Sequence, residues 1–387
     1  MKKYSNKAVI DSLGLPMMTS FEDLSQNLRL SAKLIHWLTS DSKERYQTFN
    51  IPKSDGTSRE ISAPVHSLKI VQRWILVNIL YKIKTSPYSY GFSKDGKGSP
   101  LVRCAERHKG NLYILKMDVK GFYPSIKREK IYHQFTNIGY NANIANLLTN
   151  LCVYEDKLPQ GAVCSPYLAN LVCRNLDFRI AGYCNRRDII YTRYADDLTF
   201  SCDNRDALKG IYGTIRKILK DEGFQLNERK SLFLSPKCRK RILGITVNDG
   251  IIKAPKELKR TVRSMIHTSI ATKDFSGNDK IRGYVAYINS IEPNYTDKVK
   301  EYIKSLTDNY FSLFTDIVDE YNKNKIYSDL PDMKLNDISD ITDCDEDGQD
   351  ILLSSIYKEY EHFLSSRGIV LEPLPFVSSF QTDDEPF

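Results

Sequence analysis

Two adjacent aspartates, Asp196 and Asp197, stand where the chain predicts a tight turn between strands. That conflict constrains it more than any other feature. Strand-forming runs flank them, Ile189-Ile190-Tyr191-Thr192-Arg193 before and Leu198-Thr199-Phe200-Ser201 after, so Tyr194-Ala195-Asp196-Asp197 reads as a β-hairpin tip. A two-residue hairpin turn favours Asn-Gly or Asp-Gly, because its residues need positive φ. No glycine stands here, and neighbouring carboxylates repel unless a cation relieves them. For the tetrapeptide alone, a solvated turn is as good a reading as a divalent-metal site, since Asp is common in turns.

A third carboxylate shifts the balance. In Leu112-Tyr113-Ile114-Leu115-Lys116-Met117-Asp118 an apolar run reads as a buried strand ending at Asp118, and Gly121 and Pro124 mark a turn beyond it. Three carboxylates on strand ends supply enough hard oxygen to hold two Mg²⁺ ions. Two such ions, about 3.5–4 Å apart, can clamp the attacking and leaving oxygens of an in-line phosphoryl displacement. No residue pattern points to a protein nucleophile.

Further motifs occur in a fixed order around these acids. They are Leu13-Gly14-Leu15-Pro16, then Arg59-Glu60-Ile61-Ser62-Ala63-Pro64 with Leu68-Lys69 and Gln72. Next comes Leu158-Pro159-Gln160-Gly161 leading through Ser165-Pro166 to Leu168-Ala169-Asn170-Leu171, and last Gly223, Asn227 and Lys230. The arrangement resembles the palm of reverse transcriptases, and over roughly residues 10–300 it resembles bacterial retron reverse transcriptases in particular. The resemblance implies an α+β right-hand polymerase with fingers, palm and thumb and a palm site of three aspartates. Helices and fingers would occupy 1–110, the palm 111–235, the thumb 236–327, and an acidic C-terminal extension 328–387.

The resemblance also implies roles. Asp118, Asp196 and Asp197 would hold two Mg²⁺, and Lys230 would protonate the leaving pyrophosphate. Tyr123 would lie beneath the incoming sugar and select deoxynucleotides, with Phe122 beside it either a partner or core. Gln160 would meet the nucleotide or template, and Arg59 and Lys69 the triphosphate. Standing alone, these polar residues would read as solvated side chains.

Nucleic acid must be held without reading its sequence, and charge is the usual means. Lys256, Lys259, Arg260 and Arg263 recur at i, i+3, i+4 and i+7 after Pro255, a basic stripe on one helix face. Leu258, Val262 and Met265 fall on another side. The net charge of +8 conceals an asymmetry: residues 328–387 hold fifteen acids against three basic residues, net −12, so the other 327 residues carry +20. A basic body of that kind suits nucleic acid.

The eight cysteines form no CxxC pair, which fits reduced, mostly buried thiols in a cytoplasmic protein. The N-terminus leads into no apolar signal-peptide core, and no run is long enough to span a bilayer. The expected partners are a structured non-coding RNA, its DNA copy, deoxynucleoside triphosphates and a separate effector protein, with no membrane.

Two elements depart from the retron pattern. Cys104-Ala105-Glu106-Arg107-His108 stands where the family has Asn-Ala-x-x-His, and Ile242-Leu243-Gly244 where it has Val-Thr-Gly. Both elements are associated with recognition of the cognate RNA, and His108 is accordingly expected to touch nucleic acid. A stand-alone defence reverse transcriptase and a non-catalytic RNA-binding scaffold are the competing readings.

Overall fold

The computed structural model describes residues 5–40, 43–52, 56–93, 96, 98–272 and 274–306. The acidic extension, the helical sequence pattern it carries at 351–364 and the last part of a second such pattern at 298–314 lie outside the described residues. The chain opens with three short helices, α1 (Lys7–Ser12), α2 (Phe21–Leu28) and α3 (Ala32–Thr39). A capping box starts α2: Ser20 Oγ accepts from the Asp23 amide while the Asp23 carboxylate accepts from the Ser20 amide.

A two-stranded antiparallel hairpin follows, β1 (Tyr46–Pro52) and β2 (Ser58–Pro64), with Phe49 opposite Ile61 and Ile51 opposite Arg59. Beyond Tyr46 every residue of β1 is exposed. Helix α4 (His66–Asn78) anchors the hairpin through buried Gln72. Its amide donates to Tyr46 Oη and to the Leu151 carbonyl, while its oxygen accepts from the Val163 amide.

The middle of the chain runs α5 (Pro100–Glu106), β3 (Tyr113–Lys120), α6 (Phe122–Ser125), α7 (Arg128–Asn137), α8 (Ala142–Cys152), α9 (Ser165–Val172) and α10 (Arg174–Asn185). It continues through β4 (Ile190–Tyr194), β5 (Asp197–Cys202), α11 (Arg205–Gly210), α12 (Tyr212–Asp221) and β6 (Gln225–Leu234). The four strands form one antiparallel sheet in the order β4-β5-β3-β6. Side chains alternate between its faces. Leu115, Met117, Val119, Leu198, Phe200 and Tyr191 join the main core with the helices, which leaves Asp118 and Asp197 on the other face. Strand β3 continues past Asp118 to Lys120, because residues 118–120 pair with β6.

The loop before α9 is docked on β2, with the Ser62 amide donating to the Gln160 carbonyl at 2.8 Å. Gly161 has φ +121°, and a Cβ there would lie 2.8 Å from Ile61 Cγ2. Only glycine fits that approach.

A second core forms from a small hairpin, β7 (Arg241–Ile242) and β8 (Ile245–Thr246), and three helices, α13 (Lys256–Thr272), α14 (Asn278–Ile291) and α15 (Tyr295–Leu306). Ile114 of β3 and Leu234 of β6 belong to it, so it closes one end of the open sheet face. The seven described cysteines are all free and all but Cys238 are buried. No described helix is long and apolar enough to cross a membrane.

Candidate active site

Strand register gathers the acids. Asp118 lies directly opposite Asp197 in the β3–β5 pair. Asp196 is brought alongside by the turn, where its carbonyl accepts from the Val119 amide at 3.0 Å. The turn residues are Ala195 and Asp196, with Asp197 already in β5 opposite Tyr194. Ala195 takes the positive φ, +55°, which costs an L-residue about 1–2 kcal/mol.

A buried network holds that strained turn. Arg193 Nε and Nη2 donate to the two oxygens of Asp177, both at 2.7 Å, and neither side chain meets solvent. Nη1 donates to Asn170 Oδ1 at 3.0 Å and to the Ala195 carbonyl at 3.3 Å. Tyr191 Oη donates to Asp177, Ser89 Oγ to Asn170, and the Asn170 amide to the Gly91 carbonyl. Gly91 presses so close that a Cβ there would lie 3.0 Å from the Ala195 nitrogen. Asp177, Arg193 and Gly91 form no local pattern in the sequence, so reading it as a string misses them; Asn170 stands within the Leu-Ala-Asn-Leu motif.

Burial raises the pKa of both Asp196 and Asp197. The charge of Asp118 raises Asp196 further, and that of Asp196 raises Asp197. The site therefore carries negative charge that is incompletely compensated. Lys230 Nζ stands 3.6 Å from Asp118 Oδ2, and the Asn227 amide donates to Asp118 Oδ1 at 3.0 Å. Lys230 reaches back because β6 is irregular: Lys116 pairs with Leu232 and Asp118 with Asn227, so residues 228–231 stand opposite Met117 alone. Such a bulge re-aims side chains.

The donor set, hard carboxylate oxygens on neighbouring strands, suits a divalent cation. Among the described residues, however, no three His, Cys, Asp or Glu side chains are gathered as a ready cage. Asp118 is instead engaged by Lys230 and Asn227.

Tyr123 is half-buried on α6, its hydroxyl pushed up to about 12 by burial and then by the charge of Asp196. Phe122 is core, stacked on Phe224 at 5.8 Å. The charge of Arg59, exposed on β2, acts on both Asp196 and Tyr123. Gln160 sits half-buried beside β2, whereas Lys69 is simply exposed on α4.

All four basic residues of α13 line one groove of roughly 350 Å³, together with Lys298 and Tyr302 of α15. Lys256 and Arg260 are exposed, Lys259 pairs with Glu292 at 2.8 Å, and Arg263 lies over the Tyr302 ring at 4.5 Å. Val262 faces the second core, with Leu258 and Met265 packed against it.

His108 departs from expectation. It is fully buried, with Nδ1 2.7 Å from Ser201 Oγ and Nε2 2.7 Å from Thr192 Oγ1, so it ties the segment after α5 to β4 and β5 and cannot touch nucleic acid. Cys104 sits against the same Thr192 hydroxyl at 3.3 Å. Burial, then the nearby Arg107 charge, lowers the His108 pKa from 6.5 to about 3.

The unfolded chain protonates His108 near pH 6.5 while the folded chain refuses the proton until about 3. Stability is therefore full above 6.5 and falls by about 1.4 kcal/mol per pH unit below it. His108→Gln, which cannot titrate, should lose that slope. In urea unfolding, the stability gap between wild type and His108→Gln should narrow by about 2 kcal/mol from pH 7.5 to 5.0. A constant gap would mean that His108 is not the buried neutral group described.

Residues 51–247 match the family described as "Reverse transcriptase (RNA-dependent DNA polymerase)". The chain is 33% identical over 310 residues to the Retron Ec86 reverse transcriptase of Escherichia coli, covering 80% of this chain and 96% of that protein. It is 30% identical to the Retron Mx65 reverse transcriptase of Myxococcus xanthus, covering 76% and 73%. A solved telomerase from Candida albicans, in complex with a TWJ fragment of telomeric RNA, overlies 85% of this chain and 66% of its own at 11% identity and a TM-score of 0.44. With its acids in register and a 33%-identical relative covered almost end to end, the chain belongs to the retron reverse transcriptases and is an RNA-directed DNA polymerase.

Proposed function

We propose that this polymerase copies a cognate structured non-coding RNA into single-stranded DNA by two-metal phosphoryl transfer, starting from a 2′-hydroxyl within that RNA. The observation that carries the chemistry is the face-to-face register of Asp118 and Asp197 with Asp196 beside them. In this reading 1–110 supplies helices and fingers, 111–235 the palm, 236–327 the thumb and 328–387 an acidic extension. The assembly works in the cytoplasm, in antiphage defence, with a separate effector protein.

A hydroxyl of the primer attacks the α-phosphate of a deoxynucleoside triphosphate. One P–O bond forms as the bond to pyrophosphate breaks. Asp118, Asp196 and Asp197 would hold two Mg²⁺, which when bound neutralise charge on the attacking and leaving oxygens. Swivelling away from Asp118, Lys230 would donate its proton to the pyrophosphate. The Tyr123 ring would underlie the sugar and leave no room for a 2′-hydroxyl, while Gln160 orients the nucleotide. Arg59, whose charge already reaches Asp196, would meet the triphosphate, with Lys69 behind it. Lys256, Lys259, Arg260 and Arg263 would follow the duplex backbone without reading sequence. RNA recognition by shape and 2′-hydroxyls suits the +20 body.

Asp196→Asn should lower Mg²⁺-dependent DNA synthesis by at least about a thousandfold while RNA binding persists, because charge stabilisation of this kind contributes several kcal/mol. Near-normal synthesis by the purified variant would end the two-metal assignment. Tyr123→Ala should raise ribonucleotide incorporation relative to deoxynucleotide; unchanged discrimination in an active variant would make Tyr123 packing only. The nucleic acid that copurifies should release free DNA on treatment with a 2′,5′ debranching enzyme. DNA with no such linkage would favour a stand-alone defence polymerase.

A further inference from the structure

Between the second core and the carboxylates the open sheet face is floored by one cation and one apolar side chain. Lys116 is two residues before Asp118 on β3, hence on the same face and about 7 Å from it along the strand. It pairs across to Thr199 on β5 and to Leu232 on β6. Thr199 is buried, but Leu232 is 50% exposed, an unusual state for a leucine inside a strand ladder. Two residues further back, Ile114 and Leu234 are sealed into the core that also carries the basic helix α13.

Lys116 is therefore the last open position on β3 before the acids. Among the described residues it closes no ion pair, whereas Lys230 is engaged with Asp118. Its charge nevertheless acts on Asp197. A half-buried lysine beside an exposed leucine matches a nucleotide backbone, where an anionic phosphate alternates with an apolar sugar edge.

On the reading of Asp118, Asp196 and Asp197 as the polymerising centre, we infer that Lys116 binds the phosphate joining the last two nucleotides of the growing strand, with Leu232 beneath the adjoining sugar. The 3′-hydroxyl must reach the acids, so the linkage behind its nucleotide falls about one strand-step back, where Lys116 stands. The contact is independent of base identity and holds the terminus through each cycle of synthesis. It would act on the strand's end, separately from duplex holding by α13.

The test uses the full-length protein and an RNA template with a DNA primer carrying one neutral methylphosphonate. At the 3′-terminal linkage this should slow wild-type extension about tenfold, the value of one charge-assisted contact, chiefly by raising the KM for primer. Placed two linkages back, it should have little effect. Lys116→Gln should be about tenfold slower on the unmodified primer and lose nothing further on the modified one. Lys116→Arg should keep the methylphosphonate penalty. An equal penalty in wild type and Lys116→Gln would overturn the contact and leave Lys116 as a counter-charge to Asp197. A wild type indifferent to the terminal methylphosphonate would overturn it without any variant. Absence of extension by wild type on the unmodified primer would instead count against the polymerising centre itself, and the inference falls with it.

Discussion

One ion pair sealed from solvent, Arg193 with Asp177, fixes where the chemistry can happen. Burying two charges costs several kcal/mol per ion, and the attraction recovers this only if the remaining donors are also satisfied. Here four of the five guanidinium N–H donors are engaged: Arg193 gives two bonds to Asp177, one to Asn170 and one to the Ala195 carbonyl. Removing either partner would strand a buried charge at a cost of about 3–5 kcal/mol. The arrangement is thus poor at adding stability and good at admitting a single geometry. Because Arg193 also exchanges backbone bonds with Tyr88 and Tyr90, the segment before α5, helix α9, helix α10 and the hairpin converge on one point. That point lies two residues before Ala195, whose strained φ presents Asp196.

The sheet then works as a partition. Because the side-chain period is two, a register slip of one residue would turn Asp118 into the main core and Met117 out of it. Leu115, Met117 and Val119 in that core forbid the slip. The apolar packing behind the sheet is what holds two carboxylates opposite each other on its front, against their repulsion. On the front, the irregularity in β6 supplies what a regular strand could not, a lysine folded back onto Asp118.

What the sequence made legible was what is local or periodic. The two acids after Tyr194, the acid after Leu112–Met117 and the stripe on α13 could all be read from neighbours, although Asp118 lies within β3 rather than at its end and Asp197 already belongs to β5. The missing glycine at the turn was a true signal of strain, although the residue that bears it is Ala195 and part of the restraint comes from Gly91, far earlier in the chain. His108 was misread because a polar residue in a family motif looks the same in sequence whether it binds a ligand or bridges two strands. Only the Ser201 and Thr192 hydroxyls, supplied by strands 93 and 84 residues away, reveal the second role. Lys116 was hidden differently: in an apolar run it reads as an interruption, and only pairing with Leu232 and Thr199 shows which face it serves.

Charge around the site completes the logic. Asp196 and Asp197 hold their protons more tightly than ordinary carboxylates because burial and mutual repulsion both act against ionisation. A site in that state attracts cations and repels the phosphates it must process. The chain answers with fixed positive groups on three sides: Arg59 from the hairpin, Lys230 from β6 and Lys116 from β3, all acting on the acids without entering a common cage. Each is tethered to a different element, so on the proposed reading each would meet a different phosphate while the acids stay in register. Were all three gathered onto the carboxylates as ion pairs, the acids would be neutralised in the resting protein and nothing would draw cations in. On the two-metal reading, this partial compensation would leave the acids open to metal and Lys116 open to phosphate.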